Sequence, residues 1–240
     1  MKSENIRIVM VGTTHPGNIG AAARAMHNMS FNRLVLVDPQ CPVGEIAYAR
    51  ASGANSLLDS RETCPDLESA IAGCHFAIAA SARRRSLTWP ELEPRQMADK
   101  LIDLDDETEA AIVFGREHSG LTNEELRLCN FMVTIPTNPV FSSLNVAAAI
   151  QVLCYEVYRQ SAEPRENPPI DSQDMPAASA EVEGYFEHLR RVLEGSGFLD
   201  AQQPGLIMQR LRRLYLRSEL TRNEVNILRG ILSAVETRRD

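Results

Sequence analysis

Long apolar runs are missing from this 240-residue chain. No stretch reaches the roughly eighteen apolar residues that a membrane-spanning helix needs, and no charged-then-apolar leader opens it. The expectation is a cytoplasmic protein, neither secreted nor embedded in a bilayer. Cysteine pairs are also missing. Cys41, Cys64, Cys74, Cys129 and Cys154 are scattered without a C-x-x-C spacing, which reads as buried thiols in a reducing compartment. The five histidines stand apart, so no metal site is expected. A dinucleotide fingerprint is absent as well: Gly12-Thr13-Thr14-His15-Pro16-Gly17 follows the first strand candidate with the wrong glycine spacing. Repeats and low-complexity tracts do not occur.

Lysine is scarce, and nearly all of the 25 basic residues are arginines. The net charge of −7 argues at first against a nucleic-acid binder, but distribution counts for more than the sum. Arginines gather at Arg83-Arg84-Arg85 and again at Arg210, Arg212, Arg213 and Arg217. The planar guanidinium suits phosphate recognition and stacking. A genome-wide arginine bias would leave the same mark, and the composition alone does not separate the two.

The first two thirds alternate strand and helix. Strands are expected at Ile6–Val11, Leu34–Val37, Ser56–Leu58, Phe76–Ala80, Ala111–Phe114 and Phe131–Ile135. Helices are expected near Ile19–Met29, Glu45–Ser52, Asp66–Ala72, Pro94–Leu101, Asn123–Cys129 and Val146–Gln160. Short apolar runs without polar alternation suit strands buried on both faces, so the class is α/β with a parallel sheet. Residues 161–178 carry four prolines among charged and small residues and read as a linker. Three helices follow, near Ser179–Glu194, Pro204–Ser218 and Thr221–Glu236, making a small all-α unit over 179–240 behind a main unit over 1–160.

Three segments concentrate chemistry-bearing residues. Asn18, Gly20 and Arg24 form an N-x-G-x-x-x-R pattern early in the first long helix. Gly115-Arg116-Glu117-His118-Ser119-Gly120-Leu121 leaves a buried strand through two glycines that permit close backbone approach, and Thr122 with Glu125 fits a capping box. Ile135-Pro136-Thr137-Asn138-Pro139-Val140-Phe141-Ser142-Ser143-Leu144-Asn145 is a polar strand-to-helix junction, with Ser142, Ser143 and Asn145 available to cap the helix behind it. Such a junction can cradle a ligand.

In this order and at these separations the three segments resemble the SPOUT superfamily of RNA methyltransferases. Asn18 and Arg24 match its first motif, Gly115, Glu117 and Gly120 its second, and Ser142 to Asn145 its third. Within the superfamily the chain looks most like the bacterial tRNA cytidine/uridine 2′-O-ribose methyltransferases that act on nucleotide 32 of the anticodon loop. The likeness covers roughly residues 5–160, including Ser81-Ala82-Arg83 and Trp89-Pro90, and the helical extension falls where that family carries one. The resemblance implies a C-terminal trefoil knot in the sheet domain, which patterning alone does not predict. It also implies S-adenosylmethionine as cofactor, a homodimer whose paired knots complete the site, and tRNA as partner. The alternatives are ribose methylation of another tRNA or rRNA site, or a non-catalytic RNA-binding knot protein.

The resemblance further implies that the adenosine is lined by Ala80, Ser81, Ala82, Gly115, Gly120, Ile135, Ser142, Ser143 and Leu144. Arg24 is the expected catalytic residue. A guanidinium stays protonated, with a pKa above about 12, so its expected role is to fix the target phosphate and stabilise the alkoxide. The proton then passes to phosphate, Ser143 or water. The bland alternative for Arg24 is a surface ion pair. Asn18 is expected to cap its helix and position Arg24, and Glu117 to orient an arginine, shape its loop or form a surface salt bridge. Arg83 and Arg85 are expected to meet RNA phosphate just beyond the cofactor wall. Trp89, the single tryptophan, either stacks a base or packs under its loop.

In the tail, Arg210, Arg213 and Arg217 recur at helical spacing and are expected to bind RNA, or else to form a solvated face. Leu206, Ile207, Leu211, Leu214 and Tyr215 are expected to make a buried stripe beside them.

Overall fold

The computed structural model describes residues 3–81, 89–161, 175–199 and 205–237. Ala82, Arg83, Arg85, Pro204 and residues 162–174 of the expected linker lie outside the described residues, so expectations that rest on them have no structural counterpart.

Among the described residues seven parallel strands form one sheet: β1 (Ile6–Val11), β2 (Arg33–Val37), β3 (Glu62–Cys64), β4 (Phe76–Ala80), β5 (Glu91–Leu92), β6 (Ala110–Phe114) and β7 (Phe131–Val133). Their order is β3-β2-β1-β6-β4-β7-β5. The helices are α1 (Pro16–Asn28), α2 (Glu45–Ala51), α3 (Asn55–Asp59), α4 (Leu67–Ile71), α5 (Pro94–Ile102), α6 (Asn123–Leu126), α7 (Val146–Ser161), α8 (Ser179–Gly195), α9 (Gly205–Leu216) and α10 (Arg222–Thr237). After β4 the chain makes the β5 edge and then returns, so that β6 inserts between β1 and β4.

Both sheet faces are apolar, as continuous strand runs require. Ile8, Met10, Leu34, Leu36, Ile78 and Ile112 pack under α1, α2, α5 and α7. Val9, Val35, Val37, Ala79 and Val113 face α4 and α6. The α1–α2 contact is unusually close: a Cβ on Gly20 would lie 2.0 Å from the Ala47 carbonyl oxygen. That glycine therefore serves helix packing.

The tail has its own core, with Val182, Tyr185, Phe186, Leu189, Val192, Leu216, Val225 and Leu232 buried together. It meets the sheet domain where the Ser179 amide and hydroxyl donate to the Cys74 carbonyl at 2.7 and 2.8 Å. Lys100 pairs with Glu219 and lies 4.8 Å from the Phe131 ring centroid.

Several expectations are corrected. Ser56–Leu58 belongs to α3, and the third strand is Glu62–Cys64. Leu57 and Leu58 are apolar because they face the core from a single helical turn. Helix α1 starts at Pro16, with His15 as its cap: the Gly17 amide donates to His15 Nδ1 at 3.0 Å. Asn18 thus lies inside the first turn and caps nothing. The buried stripe expected on α9 is only partly present. Leu211 and Tyr215 contact the core, while Leu206, Ile207 and Leu214 are exposed. Among the cysteines, Cys74, Cys129 and Cys154 are buried, but Cys41 and Cys64 are half-buried. Burial pushes the Cys74 and Cys129 thiols up to about 12, which keeps both protonated.

Candidate active site

At the carboxyl ends of β4, β6 and β7 the chain encloses a cavity of ≈ 240 Å³. The carboxyl edge of a parallel sheet is where loops diverge and leave room for a ligand. Ala80 and Ser81 line it from β4, and Phe114, Gly115, Arg116, Glu117, His118 and Gly120 from the loop after β6. Val133, Ile135, Thr137, Ser142, Ser143 and Leu144 line it from the segment after β7, and Val146 and Ala149 from α7. Eight of the nine residues expected around the cofactor thus share one cavity, the ninth being Ala82.

The walls are set mainly by backbone. Arg116 and Gly120 bond to each other through both backbone pairs, at 3.2 and 2.9 Å, folding the loop back on itself. A Cβ on Gly115 would fall 2.2 Å from the Gly120 carbonyl carbon and 2.3 Å from the Leu121 nitrogen. Gly120 has φ +70°, a left-handed conformation that disfavours a side chain. Ser81 donates its amide to the Val133 carbonyl at 3.0 Å, and the Thr134 hydroxyl donates to the Ser81 carbonyl at 3.1 Å, so β4 and β7 leave the sheet as a pair.

A polar chain joins all three motif segments. Glu117 Oε1 accepts from Asn18 Nδ2 at 2.8 Å, and its Oε2 accepts from the Thr14 hydroxyl at 3.0 Å. Asn18 Oδ1 accepts in turn from Asn145 Nδ2 at 3.0 Å. Asn145 Oδ1 accepts from the Ala147 amide at 2.9 Å and caps α7. Asn145 therefore takes the capping role, while Ser142 and Ser143 line the cavity and their hydroxyls make no hydrogen bond among the described residues. Partial burial alone would raise the Glu117 carboxyl; bonds from Asn18, backbone amides and Thr14 outweigh it and hold the group below the ordinary carboxylate range. Glu117 shapes the joint between its loop and α1. Its partners are Asn18 and Thr14; the arginine beside it, Arg116, turns away to Glu125 at 3.0 Å.

Arg24 is exposed, lies outside the cavity lining and makes no hydrogen bond or ion pair among the described residues. Trp89 is half-buried and donates its indole N–H to the Cys129 carbonyl at 3.1 Å, which ties it to the turn between α6 and β7. On α9 Arg210 is exposed and Arg213 half-buried, and Arg217, in the turn just after the helix, is exposed. Arg212, counted with them from sequence, is engaged internally: it pairs with Glu183 and lies 4.5 Å from the Phe186 ring centroid. The sequence reading passed over Thr14 and His118. Thr14 follows a strand end, and His118 stands between the two glycines of the loop; position was the available signal for both. Among the described residues no group of three or more His, Cys, Asp or Glu could hold a metal ion, and no helix is long and apolar enough to cross a membrane.

Residues 5–155 match the SpoU rRNA Methylase family, and residues 180–240 match the tRNA methyltransferase TrmJ C-terminal domain. A Pseudomonas aeruginosa tRNA (cytidine/uridine/adenosine-2′-O-)-methyltransferase TrmJ is 47% identical over 97% of this chain and 94% of its own length. A tRNA (cytidine/uridine-2′-O-)-methyltransferase TrmJ from Photorhabdus laumondii is 43% identical, with 97% of each chain covered. The crystal structure of TrmJ from Z. mobilis superposes with a TM-score of 0.83 at 31% identity, over 96% of this chain and 98% of that one. Cavity, motif spacing and helical tail thus have one common source: the chain belongs to the SpoU methylase family and, along nearly its whole length, to its TrmJ group.

Proposed function

We propose that this chain methylates ribose 2′-hydroxyls of tRNA with S-adenosylmethionine, at cytidine or uridine 32 of the anticodon loop, as a cytoplasmic homodimer. The observation that carries the reading is one cavity lined by the second and third motif segments, to which the first is tied by the Glu117–Asn18–Asn145 chain. Full-length likeness to TrmJ proteins supports the tRNA 2′-O-methyl transfer. The trefoil knot belongs to the same reading, as do the divisions at 1–160, 161–178 and 179–240; the two family matches, 5–155 and 180–240, fall on either side of the linker.

The cavity suits the cofactor. Gly115 and Gly120 leave backbone exposed for polar contact, and Val133, Ile135 and Leu144 supply apolar wall for a flat ring. Ala80, Ser81, Ala82, Gly115, Gly120, Ile135, Ser142, Ser143 and Leu144 would hold it. When bound, S-adenosylmethionine supplies the electrophilic sulfonium methyl group. The protein's task is then to bring the ribose oxygen into line and to stabilise its developing charge. Arg24 provides the cation, fixing the adjacent phosphate, and the proton leaves to phosphate, to the Ser143 hydroxyl or to water. Asn18 and Glu117 hold the start of the helix that bears Arg24.

Arg24 is exposed on its own protomer, which favours a site completed by a partner chain. Tyr155 and Tyr158 on α7, both about half exposed, offer apolar surface for that pairing. Arg83, Arg85, Arg210, Arg213 and Arg217 are assigned to RNA phosphate. The test is methyl transfer to unmodified tRNA and, separately, to rRNA by the purified protein. Ribose methylation of tRNA upholds the reading; transfer to rRNA alone, or to neither, rejects it.

A further inference from the structure

We propose that Phe141 is the platform on which the base of the target nucleotide stacks, an inference that rests on the function read above. Five of the seven phenylalanines are buried (Phe31, Phe76, Phe114, Phe131 and Phe186); Phe198 in the tail is 63% exposed, and Phe141, next to the cavity lining, is 78% exposed. An aromatic ring left in water at a functional rim forgoes burial that the fold could otherwise use. The ring does not stand on a loose loop. The Phe141 amide donates to the Asn138 carbonyl at 3.0 Å, the Val140 amide to Asn138 Oδ1 at 2.9 Å, and the Thr137 hydroxyl to the Ser142 carbonyl at 3.0 Å. The turn is pinned on both sides.

Location fixes the occupant. Ser142, Ser143 and Leu144, the next three residues, line the cavity. A ribose whose 2′-oxygen enters that cavity leaves its base at the rim, beside Phe141 and the still more exposed Val140. Recognition of unpaired RNA generally uses bases splayed onto aromatic rings. Trp89, the other candidate ring, is half-buried, anchored through its indole N–H to the Cys129 carbonyl, and absent from the cavity lining. The relatives are named as methyltransferases of cytidine and uridine, and in one case of adenosine as well. Those bases present different hydrogen-bonding edges but all have a π face, and stacking tolerates any of them. A stacking platform therefore accounts for fixed ribose chemistry with a permissive base.

The test compares wild type with Phe141→Ala, Phe141→Leu and Phe141→Trp in the full chain. It measures kcat/KM for tRNA, S-adenosylmethionine affinity by calorimetry and mass by analytical ultracentrifugation. Loss of one stacked base predicts a fall in kcat/KM of about five- to a hundred-fold for the alanine and leucine variants. Phe141→Trp should stay within about threefold of wild type, with cofactor affinity and mass unchanged in all three. Leucine performing as well as tryptophan would overturn the proposal, since area without a π face would then suffice. A drop in mass for Phe141→Ala would overturn it too, by giving the ring to the partner protomer. Absence of tRNA methylation by wild type sinks the underlying function; an active wild type with indifferent Phe141 variants sinks this inference alone.

Discussion

Asn18 donates to Glu117 across 2.8 Å, although 98 residues of chain separate them. This one bond ties the arginine-bearing helix to the loop that walls the cavity, and the opposite side of the same amide receives Asn145. Asn18 is thus the keystone between motifs, whereas its place in the sequence predicts a helix cap.

Asn18→Asp should replace that bond with a repulsion between carboxylates. The expected cost is about 1–2 kcal/mol of stability, because a hydrogen bond to a charged group is lost at a half-exposed site. Methyl transfer should fall with it, since Arg24 lies on the same helix. Asn18→Asp combined with Glu117→Gln restores a donor and an acceptor and should recover much of both. Denaturant midpoints and initial rates for the three proteins decide this; equal losses in the single and double variants would dissociate the pair.

Gly115→Val and Arg24→Ala should fail differently. The valine collides with backbone of its own loop, 2.2 Å away, and should weaken S-adenosylmethionine binding by at least about tenfold. The alanine lies outside the cavity wall and should leave that affinity within about threefold while abolishing transfer. Calorimetry separates the cases. A large loss of cofactor affinity in Arg24→Ala would remove it from the role assigned.

Acid should unlock the joint. Glu117 is held below the ordinary carboxylate range in the folded protein, so the unfolded chain binds its proton more readily. Its contribution is fully present above the unfolded value, about 4.3, and is lost as pH falls through the lower folded value. Urea midpoints between about pH 3 and 7 should therefore drop more steeply at the acid end for wild type than for Glu117→Gln. Parallel curves would mean that the carboxylate is not coupled to folding.

The arginines of α9 and of the turn that follows it should divide by environment. Arg210→Gln and Arg217→Gln, both exposed, should each shallow the log-log salt dependence of tRNA binding by up to about 0.9. Arg212→Gln breaks a pair with Glu183 and a contact with Phe186, so it should lower stability and leave the salt slope alone. A reversed pattern, with the slope following Arg212, would place the RNA face elsewhere on the tail.

The α/β class and most elements were legible because buried parallel strands are continuous apolar runs, and these set β1, β2, β4, β6 and β7. Two edge strands were missed: Glu62–Cys64 and Glu91–Leu92 are too short and too polar to show a period. Leu57-Leu58 misled because one buried helical turn and a short strand share the same apolar signature. The cavity residues were legible through motif spacing. Their cross-links were not: Glu117 to Asn18 and Asn18 to Asn145 arise from the inserted position of β6 beside β1, which is a matter of topology. The inward turn of Arg212 depends on Glu183 and Phe186 from another helix, which periodicity within α9 cannot reveal.

The most direct test is nucleoside and fragment mass spectrometry of unmodified tRNA after incubation with the purified protein and S-adenosylmethionine, Arg24→Ala serving as control. The account predicts one ribose methyl on cytidine or uridine at position 32, and none with the variant. Methylation of a base, methylation of ribose at another position, or no transfer by wild type would contradict it.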